Sequence, residues 1–269
     1  MLTPEQYNEI QPLLAEVRKT KFDNTVPLIY TPADLSFYSD GRRHDVGKPG
    51  MIGGFIGEEK SGKSFVLGQV AASFLTNGQE KLNFEYKGPG DLIWFDTEQS
   101  EEFYKLNQSR IHLSAGLKSV NSPRYSAYNL RKWTPGQRMN AIEGMLMDHP
   151  GTKIAVIDGL VDIVSDYNDL KESNAAFGKI MEWSYELKIL VLTVIHVNKG
   201  DGKIRGHLGS ELKNKCDFLI KVAQTERNQY SLSNPTGRYP TFPAMDFTRN
   251  EDSGLAEYTS GKEKLNLEF

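Results

Sequence analysis

Cysteine is almost absent: Cys216 stands alone in 269 residues. One thiol closes no internal disulfide and builds no cysteine-rich zinc site, which suits a reducing compartment. Long apolar runs are missing too. The longest, Ile189 to Val197, is interrupted by Thr193 and His196 and is far shorter than the roughly 20 residues that cross a bilayer. The opening MLTPEQYNEIQ lacks a charged n-region followed by an apolar stretch, so it is not read as a secretory signal. The expectation is a cytoplasmic protein without a membrane partner. There is no excess of positive charge: the formal net charge is -3. That excludes a chain that coats nucleic acid with its whole surface, and leaves room for a local basic channel. No internal repeat or low-complexity tract occurs.

What is present is a regular alternation. Thr3, Pro4 and Gln6 form a capping-box pattern, and Tyr7, Ile10, Leu13, Leu14 and Val17 follow at helical spacing, so residues 3–20 are predicted to be an amphipathic helix. Pro12 predicts a kink or restart near Gln11. Residues 21–48 mix Pro, Asp, Gly and basic side chains without a period and read as a connecting segment. From Met51, short apolar runs (MIGGFIG, LIWFD, RYSAYNL, KIAVID, KILVLTVIHV) alternate with helical patterns at Ser64–Leu75, Glu101–Leu113, Pro135–Met147 and Ala175–Leu187. FLIKVAQ and QYSLS follow as shorter strand-like pieces. This rhythm predicts an α/β fold with a mainly parallel sheet covered by helices on both faces. The expected divisions are 1–47 (N-terminal helix and connector), 48–250 (the α/β domain) and 251–269 (a charged tail).

The segment Gly57-Glu58-Glu59-Lys60-Ser61-Gly62-Lys63-Ser64 is a complete phosphate loop between a strand-like and a helix-like stretch, the context the motif needs. Its backbone N–H groups, continuing to Phe65 at the helix start, would surround a phosphate. Lys63, read as a solvent-facing loop lysine, would place its charge toward the β- and γ-phosphates, and Ser64 would offer a hydroxyl to magnesium. Asp158 closes the apolar run KIAVID and is positioned to hold a magnesium water shell. Asp96 and Glu98 end LIWFDTEQS. Glu98 there could polarise an attacking water, or could sit in the first turn of the next helix with Thr97 as its cap. His196 ends the strongest buried-strand signal, and a glycine-rich basic loop follows with Lys199, Lys203 and Arg205.

Taken in order, GEEKSGKS, LIWFDTEQS, KIAVIDGLVDIV with Asn168 and Asp169, LTVIHVNK and RGHLGSELKNKCD resemble the RecA-like P-loop ATPases. Within them they resemble the single-domain hexameric replicative helicases of the plasmid RepA type and related mobile-element or phage proteins. The resemblance runs from about Lys48 to Phe247. It implies ATP and Mg2+ as cofactors, Lys63 and Ser64 for phosphate and metal, Asp158 as the metal-associated acid, Glu98 as catalytic base and His196 as γ-phosphate sensor. It also implies a homo-oligomeric, hexameric ring with ATP between subunits, completed by a neighbour's cation. Arg238 in SNPTGRYP is the preferred candidate, with Lys215 and Arg205 behind it.

The leading expectation is an ATP-driven motor on single-stranded DNA, probing the strand with Lys199, Lys203 and Arg205 and working with replication or mobilisation partner proteins. The acids Asp162, Asp166 and Asp169 make the loop after Asp158 a poor phosphate binder. A RecA-like ATPase acting on a protein partner without translocation is the second reading, and a phosphoryl-transfer enzyme on a small substrate the third.

Overall fold

The computed structural model describes residues 2–27, 29–118, 121–197, 204, 206–250 and 255–258. It divides into two compact units, Met1–Pro32 and Ala33–Phe269. In the first, α1 (Pro4–Glu9) and α2 (Gln11–Lys19) are separate helices. Thr3 and Gln6 complete the capping box, with Gln6 N–H donating to Thr3 Oγ1 at 3.2 Å and Thr3 N–H to Gln6 Oε1 at 3.0 Å. The break at Ile10 follows from Pro12, whose missing N–H and bulky ring stop a helix running through. No residue of either helix is buried.

In the second unit the strands, in chain order, are β1 (Leu35–Ser39), β2 (Arg42–Gly47), β3 (Ile52–Gly57), β4 (Phe84–Tyr86), β5 (Asp91–Asp96), β6 (Tyr125–Asn129), β7 (Thr152–Asp158), β8 (Leu190–His196), β9 (Phe218–Glu226), β10 (Gln229–Gly237), β11 (Met245–Arg249) and β12 (Ala256–Tyr258). The helices are α3 (Lys63–Leu75), α4 (Glu101–Ser114), α5 (Pro135–Asp148), α6 (Leu170–Glu186) and α7 (Gly206–Lys215). The stretch read as an irregular connector therefore holds a hairpin, β1–β2, which β4 extends to a three-stranded antiparallel sheet. Its turn is Asp40–Gly41 with φ of 50° and 69°, the Asp-Gly chemistry that tight hairpins require.

The main sheet has the order β12-β11-β10-β9-β3-β8-β7-β5-β6. From β9 to β6 neighbouring strands are parallel, and β10 to β12 add an antiparallel extension. Side chains alternate between two cores, as the period of a strand demands. Leu92 and Trp94 of β5 pack with Val66, Leu67, Val70 and Phe74 of α3. Ile93 and Phe95 face the other way, toward Ile142 and Leu146 of α5 and Phe177, Ile180 and Trp183 of α6. Register then sets the chemistry, because Gly57 pairs with His196, and Asp96 with both Asp158 and Asn129. The carboxyl ends of β3, β8, β7, β5 and β6 thus lie side by side along one edge, where open parallel sheets receive ligands.

Phe177 is fully buried in the second core. Phe177→Ala is expected to cost about 3–5 kcal/mol, read as a lowered midpoint in urea unfolding.

Candidate nucleotide site

The phosphate loop is shaped by what a side chain would hit. A Cβ on Gly57 would lie 2.1 Å from the Val222 carbonyl oxygen and 2.6 Å from Ser61 Oγ, so only glycine fits where β3 turns. Gly62 holds φ at +88° as the N-cap of α3, a conformation that a side chain disfavours. Lys63 is the first residue of α3, and it is buried at 4% exposure. That corrects the reading of a solvent-facing loop lysine. Its ammonium donates to the carbonyls of Gly57 (3.0 Å) and Glu58 (2.5 Å) and to His196 Nδ1 (3.2 Å). A buried ammonium is tolerated only with such partners, so the fold itself holds the charge at the loop's centre.

Beside it, Ser64 Oγ donates to Asp158 Oδ1 at 3.1 Å, while Asp158 Oδ2 is buried and has no hydrogen-bond partner. Burial pushes the Asp158 carboxyl up to about 8, with the neighbouring Asp96 adding to the effect. An orphaned carboxylate oxygen against a serine hydroxyl fits a divalent cation. Among the described residues no group of three or more His, Cys, Asp or Glu could hold a metal, so phosphate and water would complete its shell, the usual manner of Mg2+ binding.

Asp96 has a different task from Glu98. It is fully buried and its Oδ1 accepts from the backbone N–H of Glu98 (3.1 Å) and Gln99 (2.8 Å), which fixes the turn after β5. Burial lifts its carboxyl to about 6, against those two hydrogen bonds. Helix α4 begins only at Glu101, capped by Ser100. Glu98 is therefore no first-turn residue and Thr97 no cap. Instead Thr97 Oγ1 accepts from Gly159 N–H at 2.9 Å and lies 3.0 Å from Asp162 Oδ2, tying the ends of β5 and β7 together. Glu98 reaches back toward His196, with Oε2 3.5 Å from Nε2. That contact, then the charges of Lys63 and Arg131, hold its carboxyl below the ordinary glutamate value against the opposing effect of burial. With Nδ1 accepting from Lys63, the ring proton of His196 sits on Nε2 and points at Glu98. Lys63, His196 and Glu98 form one chain of contacts.

The chain matches no family model and no curated protein. Its structure is similar to solved ones. The ATPase domain of a replicative helicase superposes with a TM-score of 0.55 at 12% identity, covering 79% of this chain and 86% of that one. The RadB recombinase gives 0.54 at 13% identity, covering 79% and 92%. The fold is RecA-like.

In this RecA-like fold the cavity beside the phosphate loop measures about 330 Å³. Of the residues read from the sequence, it gathers Lys60, Gly62, Lys63, Ser64, Phe65, Glu98 and His196. Gly57, Glu58, Glu59 and Ser61 line the outer side of the same loop. Four further residues at the cavity were not read from the sequence: Phe103, Asn107, Arg110 and Arg249. The first three lie at i, i+4 and i+7 on α4, a spacing visible once the helix start is known. Arg249 comes from β11 and sits 5.1 Å from the Phe65 ring centroid, a contact that no local pattern announces.

Other candidates lie apart. Arg238 N–H donates to Asp217 O and its Nε to Asp217 Oδ1 at 2.7 Å, and Asp217 itself binds the backbone of Ile52 at the start of β3. Arg238 therefore occupies the amino edge of the sheet. At about 3.3 Å per residue the five steps from Ile52 to Gly57 put it roughly 16 Å along the strand from the phosphate loop. Lys215 pairs with Glu211 on α7 and lies over Phe177, away from the site. Arg227, in the β9–β10 turn, does share the phosphate-loop edge. Lys199, Lys203 and Arg205 lie outside the described residues. Of the acids after Asp158, Asp169 caps α6 through Glu172 N–H at 2.6 Å and Asp166 accepts from Asn168 N–H at 2.8 Å, which gives them local structural work.

Two results are expected. Lys63→Ala strands the Gly57 and Glu58 carbonyls as well as removing the charge, so it should lose triphosphate binding, followed with a fluorescent ATP analogue, and also cost about 1–3 kcal/mol in thermal unfolding. For Asp158 the sign is set by an acid whose folded-state pKa is raised. Protonation favours the fold, and stability falls as pH rises from the unfolded value toward about 8. In chelator, Asp158→Asn should gain in melting temperature over the parent, with the gap widening from about pH 5 to about pH 9.

Proposed function

We propose that the chain is an ATPase that binds MgATP at the carboxyl edge of its parallel strands, and that it works as a ring-forming motor on single-stranded DNA. The observation that carries the reading is the Lys63–His196–Glu98 chain of contacts, which joins the phosphate-loop lysine to a carboxylate three residues ahead of α4. A bound triphosphate supplies the scissile bond, and Mg2+ held from Ser64 and Asp158 supplies positive charge against the phosphates. The protein's own residues do the rest. Lys63 at the loop's centre offsets β- and γ-phosphate charge. Glu98, held as a carboxylate at neutral pH, accepts a hydrogen bond from water and aims it in line with the γ-phosphorus.

His196 is placed to report. Its ring has partners on both nitrogens, Lys63 and Glu98, and a γ-phosphate that draws Lys63 toward itself alters both contacts. The segment that follows His196, carrying Lys199, Lys203 and Arg205, is the proposed reader of that change and the proposed contact to DNA phosphates. Similarity to the helicase ATPase domain supports ATP hydrolysis, and the motor reading rests on the sequence resemblance together with the basic loop. In a ring with ATP between subunits, a neighbour's cation completes each site.

Glu98→Gln should bind ATP with near-parental affinity while hydrolysing it about 100-fold more slowly or worse. Because the Glu98 carboxyl is held below the ordinary range, the parental rate should be flat across neutral pH and fall only on the acid side. Turnover of Glu98→Gln at the parental rate would remove Glu98 from the reaction. His196→Ala should retain ATP binding and lose the stimulation of hydrolysis by oligothymidylate, measured as phosphate release with and without the oligonucleotide. A parent enzyme that hydrolyses ATP, assembles, and ignores oligothymidylate at low salt would favour action on a protein partner.

A further inference from the structure

At the far side of the turn after β5 lies a second concavity, lined by Ser100, Tyr104, Lys105, Asn129, Arg131, Lys132 and Trp133 together with Glu101. It is a loop feature with unusual support. Arg131 N–H donates to Asn129 Oδ1 (3.1 Å) and Trp133 N–H to Leu130 O (3.2 Å). The Arg138 guanidinium then grips three carbonyls, those of Leu130 (3.1 Å), Arg131 (2.7 Å) and Asp162 (2.6 Å). The backbone of residues 130–133 is pinned while the side chains of Arg131, Lys132 and Trp133 remain exposed. Among the described residues neither Arg131 nor Lys132 forms an ion pair, and Lys132 Nζ lies 4.3 Å over the Trp133 ring. Glu101, the acid of the group, is engaged by Lys105 at 2.5 Å.

Two unpaired cations and an exposed indole on a rigid turn match the chemistry of a single-stranded nucleic acid, which offers a phosphate to each cation and a base face to each aromatic ring. The site is also wired to the reaction centre. Asn129 Nδ2 donates to the Gln99 carbonyl at 2.9 Å, Gln99 lines the nucleotide cavity beside Glu98, and Arg138 links the same loop to Asp162. The charge of Arg131 reaches Glu98 and helps hold its carboxyl ionised.

We propose that Arg131, Lys132 and Trp133 form a second contact for single-stranded nucleic acid, in which Trp133 stacks on a base and the two cations meet flanking phosphates, with Asn129 and Gln99 passing occupancy to the nucleotide site. The proposal rests on the motor reading, and adds to the loop after His196 a contact on a different strand end. Binding here moves Arg131 relative to Glu98, which gives the strand a route to the hydrolytic rate independent of His196.

The three tryptophans make the test direct. Trp94 and Trp183 are buried, at 0% and 4% exposure, and Trp133 is exposed at 37%. Titration of the full chain with unlabelled oligothymidylate should quench the exposed, red-shifted part of the emission, and Trp133→Phe should remove that response while keeping most of the affinity. Trp133→Ala should weaken binding of a labelled oligothymidylate, followed by anisotropy, about tenfold. Lys132→Ala should lower the slope of log affinity against log salt by roughly 0.7. Binding of the oligonucleotide with unchanged tryptophan emission and parental affinity in Trp133→Ala would overturn this site and leave the motor reading intact. Absence of any binding at low salt would overturn both. Quenching by an acidic peptide with none by oligothymidylate would overturn it in favour of a protein contact.

Discussion

A buried ammonium organises this molecule's working edge. Lys63 is almost fully covered, and an unpaired charge so placed would cost more than a fold can bear. The loop carbonyls of Gly57 and Glu58 and the ring of His196 meet that demand, so the phosphate loop, the start of α3 and the end of β8 are fixed relative to one another by a single side chain. Directly alongside, two carboxyls are buried without matching positive charge, and both resist ionisation. The edge thus combines a positive centre that the protein satisfies with a negative one that it does not. A triphosphate with its cation suits both.

Around this centre, short polar links join the strand ends. Thr97 connects β5 to the turn after β7, Asp96 shapes the turn that carries Glu98, Asn129 ties β6 to Gln99, and Arg138 joins the β6 loop to the segment after Asp158. Each uses a backbone group that would otherwise go without a partner. The consequence is that the loops at this edge are not independent. A displacement at the γ-phosphate position reaches His196 and Glu98 first, and from Gln99 reaches Asn129 and the basic turn beyond it.

Much of this was legible in the chain. The glycine spacing of the phosphate loop, the apolar runs ending in Asp158 and His196, and the helix-strand rhythm each express a local rule, and the sheet follows them. The hairpin at β1–β2 was legible too, since Asp40–Gly41 carries a strong turn signal, yet its polar flanks RRHDV hide the strand period. Arg249 and Arg238 were not legible. Both follow late strands and look alike in sequence, but antiparallel return through β10 sends Arg238 to the amino edge while β11 delivers Arg249 to the nucleotide cavity.

What the sequence determined by itself was therefore the chemistry available and the class of fold, because phosphate loops, caps and strand periods depend on neighbours within a few residues. The tertiary structure decided which charges are buried and which ends meet. Lys63 reads as an exposed loop residue until α3 closes over it, Glu98 as a helix-start acid until Asp96 fixes the turn ahead of α4, and Trp133 as an ordinary loop aromatic until Arg138 pins the backbone beneath it. Those outcomes depend on register between strands remote in sequence, and on the desolvation that only packing imposes.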